Sequence, residues 1–209
     1  MFGGTVRGRT TTLRVPAEAD LGAHRRWAAD MRLRRAGPIG RWHEPAATAT
    51  WKERWAEQAK DRSSVLWSID AGDTSNADGG EAGGRLVGYA RIRFEGAPHA
   101  DAISINQLVI DPEHGRKGYG WDAALTLHRW AFDFMNLRLA ATDRVAADDI
   151  ARQRIFEKLG YVRFGHGHDV YYRDGAYVDQ YLYQMDRDTW HERWPQEREY
   201  PPLGDDKAQ

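Results

Sequence analysis

Residues 108–121 read Leu-Val-Ile-Asp-Pro-Glu-His-Gly-Arg-Lys-Gly-Tyr-Gly-Trp (LVIDPEHGRKGYGW). The apolar start belongs to a strand over Ile103–Ile110, apolar enough to be covered on both faces. Asp111-Pro112 makes a turn, and a glycine-containing loop then opens a helix. That helix carries Ala124, Leu127, Ala131 and Phe134 at steps of three, four and three, an amphipathic stripe. Such a loop leaves main-chain N–H groups unpaired at a helix N-terminus, which carries about half a positive charge. Gly118 and Gly120 let a ligand approach the backbone, and Arg116 and Lys117 add side-chain charge. The stretch has the physics of a diphosphate cradle; the plainer alternative is a tight strand-to-helix turn. A Walker A loop is excluded because no G-x-x-x-x-G-K-[ST] occurs, and the glycine spacing does not suit a Rossmann unit.

Outward from this segment the periodicity alternates between strand and helix. Toward the N-terminus, Leu13 and Val15 begin a strand that Pro16 ends. Asp20 is placed to cap a helix with Leu21, Trp27, Ala28 and Met31 on one face, and Thr48 to cap another with Trp51, Trp55, Ala56 and Ala59. Val65–Asp70 and Arg85–Phe94 read as an antiparallel pair around the Gly- and Asp-rich stretch 71–84, a surface loop. Toward the C-terminus, Leu137–Thr142 is a strand, and Asp149–Leu159 is a helix stopped by Gly160. Tyr161–Phe164 and Tyr177–Asp186 are strands, and a short helix follows over Asp188–Trp194. The predicted fold class is α/β, a mixed, mostly antiparallel twisted sheet with helices on both faces. Residues 1–198 are expected to form one domain and 199–209 a flexible tail.

Composition narrows the function classes. The 209 residues carry 30 Lys and Arg against 31 Asp and Glu, a net charge of -1, so neither nucleic acid nor an anionic membrane is an expected partner. No apolar run has the ~18 residues a membrane helix needs, and MFGGTVRGRTTTLRV lacks the apolar core of a signal peptide. There is no cysteine, which removes disulfides, thiolate metal sites and thiol nucleophiles and fits a cytoplasmic location. The nine tryptophans exceed what a core alone calls for, so some are expected at a pocket or interface.

Three segments together carry a family resemblance: LVIDPEHGRKGYGWDAALTLHRWAF (108–132), DDIARQRIFEKLGYV (148–162) and YYRDGAYVDQYLY (171–183). They resemble a GCN5-related N-acetyltransferase (GNAT), in the branch typified by the ribosomal-protein acetyltransferases RimJ and RimL. The likeness runs from about Thr11 to Trp194 and is looser in the N-terminal third. It implies an acetyl-CoA-dependent acyltransferase. The backbone of Leu108, Val109 and Ile110 would pair with the pantetheine arm, and the loop amides of Arg116, Lys117, Gly118, Tyr119, Gly120 and Trp121 would hold the diphosphate. Asp149 matches the family's cofactor-contacting Asn, and Phe156 the position where the family often places a proton-donating Tyr. The chain departs from the family pattern at three places. Gly115-Arg116 reverses the usual Arg-Gly order, Asp149 replaces an amide donor with a charge, and Phe156 has no proton to give.

The implied reaction is direct attack of a neutral primary amine on the thioester, which needs a base for the ammonium proton. A strand amide near Leu108 would stabilise the oxyanion. The Ile103–Ile110 strand has no acid. Asn106 on that strand and Glu95 at the end of the preceding one, acting through water, are the catalytic candidates, with a solvated turn residue as the plain reading of Glu95. For the acceptor, a small-molecule or peptide amine, the resemblance points to Trp42 and His43 before the second helix and to His168, Asp169 and Tyr171 late in the chain. Trp51 and Trp55 read as core. His166, His168 and Asp169 on a loop are too sparse for a metal site, and no metal is expected. Tyr181 and Tyr183 serve either a dimer contact or a buried sheet face, leaving monomer or homodimer open. The rival to catalysis is a degenerate member of the fold that binds CoA or a ligand without transfer, or uses another acyl-CoA.

Overall fold

The computed structural model describes residues 4–30, 33, 48–72, 84–95 and 101–198. Strands β1 (Val6–Arg7), β2 (Thr11–Arg14), β3 (Ser64–Ala71), β4 (Arg85–Glu95), β5 (Ala102–Ile110), β6 (Leu139–Ala146), β7 (Val162–Arg173) and β8 (Ala176–Asp186) form one sheet. Its order is β1-β2-β3-β4-β5-β6-β8-β7. Every neighbouring pair is antiparallel except β5 with β6. The helices are α1 (Leu21–Ala29), α2 (Thr48–Lys60), α3 (Tyr119–Arg129), α4 (Ile150–Leu159), α5 (Arg187–Arg193) and α6 (Pro195–Arg198). This is the α/β class expected.

Side-chain alternation puts helices on both faces. On β4 the Tyr89 ring meets His24 and Trp27 of α1. One residue along, Ala90 pairs with Trp67, whose ring packs edge-on against Trp130 at the end of α3. The period of two therefore separates an α1 layer from an α3 layer. Ile69, Ile92, Ile103, Leu127 and Trp190 are fully buried in the core that results.

Several expectations need correction. Phe134 is half exposed although Ala124, Leu127 and Ala131 are buried. The last turn widens to a π-helix over Trp130–Phe134, which rotates Phe134 off the stripe. Asp20 does not cap α1 with its side chain. Its carboxylate instead accepts from Arg14 (2.7 and 3.0 Å), the Ser68 hydroxyl (2.7 Å) and the Ala17 amide (2.8 Å). The Tyr161–Phe164 strand runs on to Arg173, because Asp174 and Gly175, both at positive φ, close a two-residue hairpin. The histidines assigned to a loop thus lie on a strand. Tyr183 is buried, stacked on Phe156 within the same chain (6.0 Å between ring centres). Trp42 and His43, residues 73–83 of the expected loop and the 199–209 tail lie outside the described residues.

Candidate active site

The cleft begins where β5 and β6 part. They pair only from Ala102 with Leu139 to Ser104 with Ala141. Just beyond, β5 carries one extra residue relative to β4: Ile105 faces Ile92, Gln107 faces Arg91, and Asn106 is the bulge between them. The bulge bends β5 away from β6, and the β6 side of residues 105–110 has no strand partner. A cleft of about 200 Å³ opens there. Ile105 and Leu108 line it from β5 and Thr142 from β6. Leu127 and His128 of α3 and Asp149, Arg152 and Phe156 of α4 close it.

At its open end the chain turns through Asp111, whose carboxylate accepts from the Glu113 amide (3.0 Å) and the Trp27 indole (2.7 Å). Gly118, at φ 85°, caps α3. Its carbonyl accepts the amides of Trp121 and Asp122, both at 3.0 Å. The five preceding N–H groups, Arg116 to Gly120, find no internal acceptor among the described residues. They stand at the positive end of an 11-residue helix. Trp121 is a correction to the expected set: its amide is spent inside the loop, and its ring packs on Trp194 and beneath the Lys158 ammonium. The reversed pair has a backbone signature. Gly115 sits at φ -61°, open to any residue, whereas Arg116 holds φ 61° without being glycine. Arg116 and Lys117 are exposed.

The helix behind the loop is anchored by Asp122, which accepts from the amides of Arg9, Thr10 and Thr11 and from the Thr11 hydroxyl, at 2.7 to 3.0 Å. Gly8 permits this approach, since a Cβ there would lie 2.4 Å from Asp122 Oδ2. Sequence reading missed Asp122, an ordinary acidic residue in a first helical turn.

On the α4 wall, Asp149 caps the helix, accepting from the Arg152 amide at 3.1 Å. Its Oδ2 is buried without a hydrogen bond, 3.4 Å from Arg152 Nε. Phe156 lines the cleft with no hydroxyl, and Tyr161 stands edge-on to it (5.0 Å). The Tyr161 hydroxyl donates to His128 Nε2 (2.7 Å), while His128 Nδ1 donates to the Ala124 carbonyl (2.6 Å). Burial pushes the His128 imidazole down to about 4 and the Tyr161 phenol up, so both are neutral at pH 7.

The remaining candidates do not gather at the cleft. Glu95 is exposed at the end of β4, opposite Ala102, four residues and roughly 13 Å along the strand from Asn106. A proton path from it would need more than one water. Val109 pairs with Tyr89, on the α1 side of the sheet. Asp169 is exposed at φ 54°, its amide donating to Asp179 (3.0 Å). Tyr171 is buried, its hydroxyl donating to Gln180 (2.9 Å). His168 is exposed beside His166 and Asp179. On the opposite face of the sheet, His24 packs between Trp27, Trp55 and Tyr89, its Nε2 without a partner.

Residues 10–162 match the model of the acetyltransferase (GNAT) domain. The chain belongs to the GNAT acetyltransferase family. Among solved structures, a spermidine N-acetyltransferase from Vibrio cholerae, in complex with CoA and spermine, is similar over 87% of this chain and 98% of its own, with a TM-score of 0.72 and 18% identity. A GNAT-family acetyltransferase from Bacillus anthracis gives 88% and 99%, with a TM-score of 0.64 and 19% identity. At this identity the likeness is one of fold. No curated protein sequence matches the chain. Among the described residues, no helix is long and apolar enough to cross a membrane.

Proposed function

We propose that this GNAT protein is an N-acetyltransferase that moves an acetyl group from acetyl-CoA to a primary amine of a small molecule or protein N-terminus. The observation that carries the proposal is the run of unspent amides from Arg116 to Gly120, at the end of a strand whose cleft edge is also unpaired. A diphosphate satisfies the first and an extended amide chain the second, and acetyl-CoA contains both in that order. In this reading the edge of β5 near Leu108 aligns the thioester and offers an amide to its carbonyl oxygen. The amine attacks as a free base, without a covalent intermediate on the protein. Asn106 and Glu95 remain the proposed polar groups on its proton path. The departing sulfur meets the Phe156 wall, so its proton comes from water or from the amine. The motif resemblance supports a reading in the RimJ/RimL-like branch, while the Vibrio structure, which holds spermine, makes polyamines one acceptor class to include.

A second reading, binding without transfer, is favoured by Phe156 and the buried Asp149 oxygen on the cofactor wall. Calorimetric titration with acetyl-CoA, followed by thiol-release assays over polyamines, amino sugars and peptide N-termini, decides between them. Absence of binding at millimolar cofactor refutes both. Binding without turnover or slow thioester hydrolysis leaves the second.

A further inference from the structure

The β7–β8 hairpin brings Asp179 of one strand to His166 and His168 of the other. His166 and His168 are two apart on a strand and project to the same side. His166 pairs with Tyr181 and Gly167 with Gln180; the register then shifts and resumes at Tyr171 with Val178, so residues 168–170 bulge opposite Asp179. One ligand atom from each of His166, His168 and Asp179 lies within 4.8 Å of the others. Asp179 Oδ2 is 2.7 Å from His166 Nε2 and 3.5 Å from His168 Nδ1. The imidazole centres are 4.1 Å apart. Two protonated rings at that separation would repel each other.

We propose that His166, His168 and Asp179 form a binding site for a divalent transition metal of the zinc class. Tetrahedral zinc with bonds of about 2.1 Å sets its donor atoms about 3.4 Å apart, a value that the two distances from Asp179 bracket. Two imidazoles and one carboxylate suit Zn²⁺, Co²⁺ or Ni²⁺ better than Mg²⁺ or Ca²⁺. The carboxylate is already oriented: the Asp169 amide donates to Oδ1, leaving Oδ2 toward the histidines. That bond and the His166 contact hold the Asp179 carboxyl below its ordinary range, so it is ionised at neutral pH. All three side chains reach solvent, which leaves an entry path and room for water as a further ligand. The Asp179 carbonyl accepts the Ala147 amide (2.8 Å), so an ion here would tie both hairpin strands to the turn before α4. The site stands apart from the acetyl-transfer reading and does not depend on it.

The test uses the full chain without a histidine tag, stripped with chelator and titrated with Zn²⁺ in a calorimeter. We expect saturable binding of one ion per chain, and Co²⁺ in its place should develop tetrahedral visible absorption. The His166→Asn/His168→Asn variant and Asp179→Asn should each weaken binding by at least about tenfold, while Asp169→Asn stays within about twofold. Circular dichroism confirms that the variants are folded. No saturable binding below about 100 μM, or binding by the double-histidine variant equal to the parent, overturns the assignment.

Discussion

Replacing Gly118 with alanine tests the diphosphate cradle through its backbone. Gly118 holds φ 85°, and a Cβ built there meets no atom within 4 Å, so the cost is torsional and not steric. A left-handed conformation costs an L-residue about 1–2 kcal/mol. The narrower unfolded ensemble of alanine returns about 0.4–1 kcal/mol. The net loss is about 1 kcal/mol, which for a chain of this size lowers the Tm by about 2–4 °C in differential scanning fluorimetry. Binding should suffer more. If the loop relaxes and one amide leaves the diphosphate, a charge-assisted hydrogen bond of about 1.5–3 kcal/mol is lost, raising the acetyl-CoA Kd about tenfold to a hundredfold by calorimetry. Arg116→Gly is the counterpart of opposite sign, because it removes a Cβ from φ 61°. Its Tm should rise by about 1–3 °C after the entropy cost of glycine. A lower Tm with unchanged acetyl-CoA affinity in Gly118→Ala would leave the strain argument standing and refute the cradle.

Asp149→Ala removes a helix cap, and the Tm should fall by what about 1 kcal/mol implies; Asp149→Asn keeps the cap oxygen, so comparing the two in a melt separates capping from charge. Phe156→Tyr introduces a hydroxyl into the cleft; if protonation of the sulfur limits the rate, thiol release per enzyme rises, and an unchanged kcat shows that it does not. Acid should destabilise the fold between pH 6.5 and about 4. Burial pushes His24 and His128 down to about 4, so the unfolded chain binds protons that the folded one refuses, and stability present above pH 6.5 is lost as pH falls. At pH 5 the loss is about 2 kcal/mol for each histidine. Denaturant melts of His24→Phe should flatten by that amount, and a profile as steep as the parent's would count against a neutral buried His24.

What could be foreseen divides along physical lines. Alternation and amphipathic stripes are local, so β4, β5, α3 and α4 were legible, as was the loop between β5 and α3, whose glycines sit in the chain next to the helix they open. The parting of β5 from β6 was not, because it depends on a bulge at Asn106 that no residue type announces. Asp20 and Asp122 looked like helix-start acids and turned out to gather amides, hydroxyls and a guanidinium from distant strands, a matter of tertiary packing. The length of β7 was hidden by the glycines at 165 and 167, although Asp174-Gly175 is a strong hairpin signal. Of the acceptor candidates, Trp42 and His43 fall outside the described residues, and the late group resolved into a cross-strand cluster whose third member, Asp179, had been passed over for the sequence neighbour Asp169.

Glu197, fully buried in the short final helix, reaches Arg9 at 2.6 Å and Arg129 at 3.1 Å. The first and last described segments are therefore fastened side by side on the flank of α3, while Ala71 and Arg85, on either side of the β3–β4 connection, are direct partners in the sheet. For a molecular engineer this is an invitation to permute: a linker between the segments that carry Arg9 and Glu197 would have little distance to span, and a new opening between residues 73 and 83 would cut no rung of the described ladder. Such a rearranged chain would keep the Arg9–Glu197–Arg129 fastening on the flank of the helix that presents the unspent amides.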